Sequence, residues 1–311
     1  MISLHIRMLG KIQIYDSEQT PITLPLKAQE LLVYLFVHCN QPHEREKLSA
    51  QLWPNVPENR SKKYLRQALW QLQTMRQDTQ SPECGIIQLE GSWVQFNLTN
   101  NIWIDADQFC RAFTQMRDVP AQAMSVDQIA AVSEAVELYG GEFVTSWYHD
   151  WCLLERERLQ SMLLTMLDKL IDYCLLNKQF ERGIAYGMQM LRYDKARERS
   201  HRRLMRLYYL ADNRTVALRQ YDLCTATLMQ ELNVQPSQKT TALYQHIQAD
   251  EGHNLKQLSS PTIPTLPAKP EASTPLLTLL HDIHLKLTTL QQDMQSLKQA
   301  LNLTKDASAD S

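Results

Sequence analysis

Glycine is scarce in this chain: its 311 residues include eight glycines, and no GxxxxGK or GxGxxG stretch occurs. Loops that cradle nucleotide phosphates depend on such glycines, so the sequence argues against a nucleotide-hydrolysing or dinucleotide-binding site. No Ser/His/Asp set stands out. His281 and His284 form an HxxH pair, but no third ligand type lies nearby, and zinc needs at least three protein ligands. We therefore predict no catalytic residues, no metal site and no cofactor, and we do not expect an enzyme.

Long apolar runs are missing as well. No stretch approaches the roughly 20 uncharged apolar residues that a membrane helix needs. The alternating start of the chain, which includes Arg7, is unlike a signal peptide. The six cysteines stand far apart without a CxxC pair, which is typical of thiols in a reducing compartment. The sequence thus predicts a cytoplasmic protein without membrane contact.

The net charge of −2 hides an uneven distribution of basic residues. Between Glu58 and Arg76 there are five basic residues and one acid, and between Arg192 and Arg206 there are seven basic residues and two acids. Local fields matter more than total charge when a protein meets a phosphate backbone. The second run is open to two interpretations: a contact for DNA or an acidic partner, or a helix face whose charges are solvated or offset by nearby acids. The latter is favoured, because like charges are common on surface helices.

The first 100 residues alternate between strand-like and helix-like patterns. Period-two alternation predicts strands at Leu4–Met8, Lys11–Tyr15 and Ile22–Leu24. Apolar spacing and prolines predict helices at Lys27–Cys39, Arg45–Trp53 and about Glu58–Gln77, and a hairpin at Ile86–Leu89 and Trp93–Leu98. A sheet, three helices and a terminal hairpin are the order of an α+β winged helix, which we place at residues 1–100.

Residues 101–250 have an all-α pattern. The predicted helices are Asp105–Arg117, Ser125–Tyr139, Asp150–Leu176, Phe180–Leu191, Arg197–Ala211, Val216–Glu231 and Ser237–Ala249. An offset of 34 residues, the period of tetratricopeptide repeats, relates Leu170 to Leu204 and Gly183 to Ala217. Small residues such as Gly183 let paired helices approach closely. We therefore predict one tetratricopeptide-like repeat domain over residues 101–250.

The composition changes after Asp250. Residues 251–275 hold five prolines among Ser and Thr and are predicted to be an extended linker. In residues 276–303 apolar side chains recur with 4-3 spacing, at Leu276, Leu280, Ile283, Leu287, Leu290, Met294, Leu297 and Leu301. One helix cannot bury such a heptad seam alone, so it predicts a C-terminal coiled coil that joins copies of the chain into a homo-oligomer. The alternative is a single amphipathic helix that packs on the protein's own body.

Three strings resemble the bacterial transcriptional activator domain family, typified by antibiotic regulatory proteins of actinomycetes. Arg66–Leu72 resembles the recognition-helix core, Asp150–Leu159 the first long helix of the activator domain, and Glu231–Ser237 the turn before its last helix. The resemblance spans roughly residues 1 to 250. It implies a winged-helix DNA reader fused to a tetratricopeptide-like domain that regulates transcription.

A helical wheel divides the predicted recognition helix into two faces. Leu65, Leu69 and Leu72 share the inner face, which we expect to pack on the first two helices. The outer face and its flanks hold the predicted DNA-binding residues: Arg60, Lys62, Lys63, Arg66, Gln67, Trp70, Gln73 and Thr74. Guanidinium and amide groups there can contact purine edges, and the lysines suit phosphates. The indole ring can contact a thymine methyl group or a sugar, or pack against the hairpin.

Two functions remain open. One is a sequence-specific transcriptional activator, with double-stranded DNA and RNA polymerase or another transcription protein as partners. The other is a repeat-type signalling adaptor whose winged helix binds protein instead of DNA. Lys63, Arg66 and Gln67 favour the activator. Trp70 favours the adaptor, as do Gln73 and Thr74, which stand where family members commonly carry a basic pair.

Overall fold

The computed structural model describes residues 4–75, 86–97 and 102–250. The chain divides into two units, Met1–Asp250 and Glu251–Ser311. The second unit, with the predicted linker (251–275) and the predicted coiled coil (276–303), lies outside the described residues. Both therefore stay predictions from the sequence.

Strands and helices occupy most of the described chain. The strands are β1 (Leu4–Arg7), β2 (Gln13–Asp16), β3 (His43–Glu44), β4 (Ile87–Glu90), β5 (Trp93–Phe96) and β6 (Ile102–Ile104). The helices are α1 (Leu26–Val37), α2 (Arg45–Leu52), α3 (Glu58–Thr74), α4 (Asp105–Met116), α5 (Val126–Leu138), α6 (Asp150–Leu176), α7 (Phe180–Tyr193), α8 (Glu198–Leu210), α9 (Arg214–Leu232) and α10 (Gln238–Ala249). Within this part of the chain no helix has both the length and the hydropathy needed to cross a membrane.

The N-terminal sheet has the strand order β2-β1-β6. Ile6 of β1 lies opposite Ile14 in the antiparallel partner β2 and opposite Ile104 in the parallel partner β6. The expectation of a third strand at Ile22–Leu24 is wrong, although the Ile22 N–H donates to the Ile14 carbonyl oxygen at 2.8 Å. The third strand is β6, a segment far along the chain that pairs in parallel with the other edge of β1 and that no local pattern indicates.

Three helices and a β-hairpin follow the first two strands. This series of elements is that of a winged helix. The second sheet has the order β3-β5-β4, and the β4–β5 hairpin is the wing. Leu35 of α1, Leu69 of α3 and Val94 of β5 are all buried in the same apolar core. Gly91 adopts a φ of +58° in the wing turn, a conformation that favours glycine. The predicted small α+β part at the N terminus is confirmed, with β3 as an additional short strand.

The remaining helices form a repeat-like array, which confirms the helical pattern predicted for this region. Its longest member, α6, has the predicted bounds Asp150–Leu176. Two glycines allow α7 to lie close against α8: a Cβ at Gly183 would be 2.8 Å from Leu207 Cδ2, and a Cβ at Gly187 would be 2.6 Å from Leu204 Cδ2. Such distances leave no room for a side chain on this face of α7.

The Gly187→Val variant should lower the free energy of unfolding by about 1–3 kcal/mol, because the added carbon atoms force α7 away from Leu204 on α8. Ala185→Val is the matched control, since Ala185 is exposed on the same helix. It should cost less than about 1 kcal/mol, the difference in helix propensity. Chemical denaturation of both variants measures the effect, and equal midpoints would contradict the close approach of the two helices.

The N-terminal sheet and the helical array share one apolar core. The Asp105 carboxylate at the start of α4 accepts the N–H groups of Met8 (2.8 Å) and Leu9 (3.0 Å), just beyond β1. From the loop between α5 and α6, Val144 donates its N–H to the Met8 carbonyl oxygen at 2.9 Å. These contacts join the segments on either side of residue 100, where the sequence predicted a domain boundary, and that boundary stays a prediction.

Candidate nucleic-acid interface

The third helix presents two distinct faces. It begins after Pro57, whose carbonyl oxygen accepts the N–H groups of Arg60 (2.9 Å) and Ser61 (3.0 Å). The buried side chains are Ser61, Leu65, Ala68, Leu69 and Leu72. This stripe matches the inner face that the helical wheel predicts and packs against α1 and α2. The opposite face of α3 is therefore left to solvent.

Most of the predicted DNA-binding residues lie on that outer face. The exposed ones are Arg60, Lys63, Arg66, Gln67, Trp70, Gln73 and Thr74. Their spacing of three and four residues brings them together along one side of the helix. The structure thus assembles a largely polar surface, with the cations toward its N-terminal half and the two glutamines, on either side of Trp70, toward its C-terminal half.

Lys62 differs from the other predicted contact residues, because its charge is used within the protein. Its Nζ lies 2.8 Å from Glu46 Oε1 of α2 and 2.7 Å from Glu58 Oε1 of α3. Hydrogen bonds to these two carboxylates raise the pKa of Lys62, and the bond from Lys62 lowers the pKa of Glu46. Lys62 therefore ties α3 to α2 and offers less of its charge to a phosphate than the sequence suggested.

Three cations of the outer face have no such partner. Within the described ranges, no carboxylate forms an ion pair with Arg60, Lys63 or Arg66. Among the described residues, Glu46 and Glu58 are both paired with Lys62, so the positive charge on the exposed face of α3 comes from these three side chains. Unpaired cations on a convex helix are suited to contact an anionic polymer.

An indole ring occupies the middle of the outer face. Trp70 is 61% exposed, and Gln67 and Gln73 lie beside it. The Thr74 hydroxyl donates to the Trp70 carbonyl oxygen at 2.9 Å, so its hydrogen is already used by the helix backbone. Thr74 can still accept a hydrogen bond, whereas the two glutamines keep donors and acceptors available.

The wing is acidic and carries a second exposed tryptophan. Glu90 stands at its turn and accepts a hydrogen bond from Gln88 Nε2 at 2.8 Å. Trp93 is 43% exposed and lies opposite Glu90 in β4 and Glu44 in β3. Trp93 is not among the residues predicted from the sequence, although its alternation with the buried Val94 indicates an outward ring. Because two carboxylates flank that ring, the wing is poorly suited to a phosphate.

The second basic run lies on and before α8, and much of its charge is offset by acids. Arg197 donates to Asp168 of α6 at 2.8 Å, and the buried Arg203 bonds both Asp168 and Asp172. Arg202 pairs with Glu198 at 3.3 Å. For these arginines the favoured interpretation, a helix face with acids nearby, agrees with the structure.

No group of three His, Cys, Asp or Glu side chains that could hold a metal ion occurs in residues 4–75, 86–97 and 102–250. The pair His281 and His284 lies outside these ranges. The surface of α3 therefore remains the candidate functional site.

Comparisons with known proteins connect this fold to a family. Residues 104–248 match the model of the bacterial transcriptional activator domain. No curated protein sequence matches the chain. Among solved structures, the chain is similar to Mycobacterium tuberculosis EmbR in complex with a low-affinity phosphopeptide, with a TM-score of 0.63 and 17% identity over 83% of this chain and 69% of that one. At this identity the likeness concerns the fold. Residues 104–248 thus belong to the bacterial transcriptional activator domain family, as the strings Asp150–Leu159 and Glu231–Ser237 predicted, and this domain supports a role as a transcriptional regulator.

Proposed function

We propose that this regulator is a sequence-specific activator that reads double-stranded DNA with α3. The observation that carries the proposal is the outer face of α3, where Arg60, Lys63 and Arg66 are exposed and form no ion pair within the described residues. The helical array would then serve regulation or contact with RNA polymerase or another transcription protein. The activity belongs in the cytoplasm, and the five cysteines that the structure describes are all free, as a reducing compartment requires.

The side chains of the outer face suit the major groove. An α-helix fits that groove, where arginine can bind guanine and glutamine can bind adenine through paired hydrogen bonds. Arg66 and Gln67 are exposed on opposite flanks of Trp70 and are the side chains we assign to base edges. Arg60 and Lys63, nearer the helix N terminus, are assigned to phosphates, which position the helix without reading sequence.

A protein contact is the second candidate function. Trp70 is 61% exposed at the middle of the same face, and exposed tryptophans are frequent anchors of protein interfaces. In that adaptor the winged helix would bind a partner protein, and DNA affinity would be absent. DNA binding by the wild-type chain therefore separates the two functions, and in an activator the Trp70→Ala variant should keep most of the salt-dependent DNA affinity, which resides in Arg60 and Lys63.

The Arg66→Ala variant should weaken binding to the regulator's own upstream DNA by about 1–3 kcal/mol if Arg66 reads a base edge. Wild-type affinity should fall with salt, with a log–log slope of about −0.9 for each phosphate neutralised, and Lys63→Ala should make that slope shallower by about one. Fluorescence anisotropy at several salt concentrations measures both quantities. Arg219→Ala, which removes an exposed arginine of α9, is the matched control and should leave the affinity unchanged.

Absence of DNA binding by the wild-type chain at low salt would contradict the activator. If the Arg66→Ala variant binds DNA with the affinity of the wild type, the protein still binds DNA, but its sequence specificity comes from other residues of α3. The two results differ, because the salt dependence reports phosphate contacts and the comparison of cognate with random DNA reports base reading.

We also propose that the predicted coiled coil at residues 276–303, here called the tail, makes the regulator a homo-oligomer. The proposal rests on the heptad spacing of its apolar residues. Leu287→Lys places a charge in that seam and should reduce the particle mass measured by light scattering to that of one chain. Gln292→Lys, at a position outside the seam, should leave the mass unchanged. Equal masses for both variants and the wild type would contradict the tail as the oligomerisation element.

A further inference from the structure

The indole ring of Trp70 stands on the side of α3 that faces away from the core. The five buried residues of this helix share one side, and Leu72 lies near the middle of that side. At about 100° per residue, Trp70 is about 160° from Leu72 around the helix axis. A large apolar side chain is therefore placed almost directly opposite the buried stripe.

The ring is available to a ligand. An indole that packed against the wing would be largely covered, whereas Trp70 is 61% exposed. Trp53, at the end of α2, shows the contrast: it is 7% exposed, and its ring centroid lies 6.3 Å from that of Tyr64 of α3. Trp70 has no contact of this kind with an aromatic ring of the described residues. The interpretation that its ring packs against the hairpin is therefore not supported.

Side chains that can form hydrogen bonds surround the ring. The exposed neighbours one helical turn away are Arg66 and Gln67 on the N-terminal side and Gln73 and Thr74 on the C-terminal side. Along the helix axis they are about 4.5–6 Å from Trp70, which is between one and two base-pair steps of about 3.4 Å. Polar side chains on both sides can thus reach the base pairs that adjoin the pair beneath the indole.

The chemistry of an indole restricts what it can read in DNA. Apart from one N–H donor the ring is apolar, and it has no hydrogen-bond acceptor. A side chain opposite the core of a helix that lies in the major groove meets the floor of the groove, where the base edges are. The apolar group that projects from the base edges there is the C5-methyl group of thymine.

We propose that Trp70 is a specificity-determining residue that reads thymine by covering its C5-methyl group. The inference rests on the proposed function, in which the outer face of α3 enters the major groove, and it names a base that this face selects. The two flanking glutamines suit adenine, which they can bind through paired hydrogen bonds. The DNA site of the regulator therefore has A·T pairs beneath the middle of α3. Each methyl group that the ring covers contributes about fourfold to the affinity.

The test compares two forms of the regulator's own upstream DNA: the natural fragment and the same fragment with uracil in place of every thymine. Uracil keeps the hydrogen-bonding groups of thymine and lacks the methyl group. Fluorescence anisotropy with the full chain should show binding to the uracil fragment that is about fourfold weaker for each methyl group covered. Trp70→Ala should lose most of this preference. Trp70→Phe, which keeps an apolar ring without the N–H, should retain it.

Trp93→Ala is the matched control, because it removes the exposed tryptophan of the wing and should keep the wild-type preference for thymine. General effects of uracil on the duplex act on every protein alike and cancel when the variants are compared with the wild type. Because Trp70 is exposed, its variants should stay folded, which circular dichroism verifies.

Three results would overturn the inference while DNA binding itself stands. They are equal affinity of the wild type for the two fragments, an undiminished preference for thymine in Trp70→Ala, and loss of the preference in Trp70→Phe, which would assign the reading to the N–H. Loss of the preference in Trp93→Ala would place the methyl contact on the wing and also overturn it. Absence of wild-type binding to both fragments at low salt would instead overturn the proposed function, and the inference with it.

Discussion

Replacing Asp105 with alanine should lower the free energy of unfolding by about 3 kcal/mol. Asp105 is 2% exposed, and its carboxylate accepts four contacts from three backbone N–H groups: Met8 at 2.8 and 3.0 Å, Leu9 at 3.0 Å and Ala106 at 2.7 Å. Without the carboxylate the N–H groups of Met8 and Leu9 stay buried and lose their acceptor. Each buried unsatisfied group costs about 1–3 kcal/mol, which is why the expected loss is large.

Two variants test the cause of this loss. Asp107→Ala is the matched control, because Asp107 lies in the same first turn of α4 and pairs with Arg111 at 2.8 Å near the surface. It should cost less than about 1 kcal/mol, as an exposed ion pair does. Asp105→Asn keeps one acceptor oxygen and should fall between the two. Urea titrations with unchanged slopes give the differences, and equal losses for Asp105→Ala and Asp107→Ala would refute the role of the buried carboxylate.

Replacing Arg156 with methionine should also lower the free energy of unfolding by about 3 kcal/mol. In this variant the groups that lose their hydrogen-bond partner are buried carbonyl oxygens, whereas in Asp105→Ala they are N–H groups. Arg156 is 9% exposed, and its guanidinium donates to the carbonyl oxygens of Phe143 (3.2 Å), Val144 (3.2 Å) and Trp147 (3.0 Å). The loop that they form includes Val144 at a φ of +39°, a left-handed conformation that a valine rarely adopts. The guanidinium therefore holds the loop in a shape that its own residues disfavour.

Arg158→Met is the matched control for this substitution. Arg158 lies two residues further along α6, its side chain is 51% exposed, and it pairs with Glu155 at 2.6 Å. Its loss should change stability by less than about 1 kcal/mol. Arg156→Lys should recover only part of the wild-type stability, because an ammonium group cannot reproduce the planar fork of donors. Full recovery by lysine would mean that charge, and not hydrogen-bond geometry, holds the loop.

Asp105 and Arg156 both stabilise the contact between the N-terminal sheet and the helical array. The loop held by Arg156 also receives Gly10, whose N–H donates to the Glu142 carbonyl oxygen at 3.1 Å. Because one apolar core runs through both parts, near-ultraviolet and far-ultraviolet signals should be lost together in either variant. Under conditions where the variants are folded, the DNA affinity that we propose for α3 should match the wild type, since α3 is built from other residues.

The sequence by itself determined the helices and the two faces of α3. A helix that packs on one side must repeat apolar residues every three or four positions, and this pattern is local, so α6 was predicted with its observed bounds. The same rule placed Leu65 and Leu69 inside and left Arg66 and Trp70 outside. Burial along one element follows from its own periodicity, and two of the three strings that indicated the family, Arg66–Leu72 and Asp150–Leu159, lie on such elements.

The tertiary structure alone decided which distant groups meet. The sequence predicted a phosphate contact for Lys62, but α2 brings Glu46 within 2.8 Å of its Nζ. The third strand of the N-terminal sheet came from β6, and the acceptor of the Met8 N–H is Asp105, 97 positions away. Hydrogen-bond and ion-pair partners depend on how separate elements are placed against each other. A periodic pattern records only which side of one element is apolar, and so it carries no information about them.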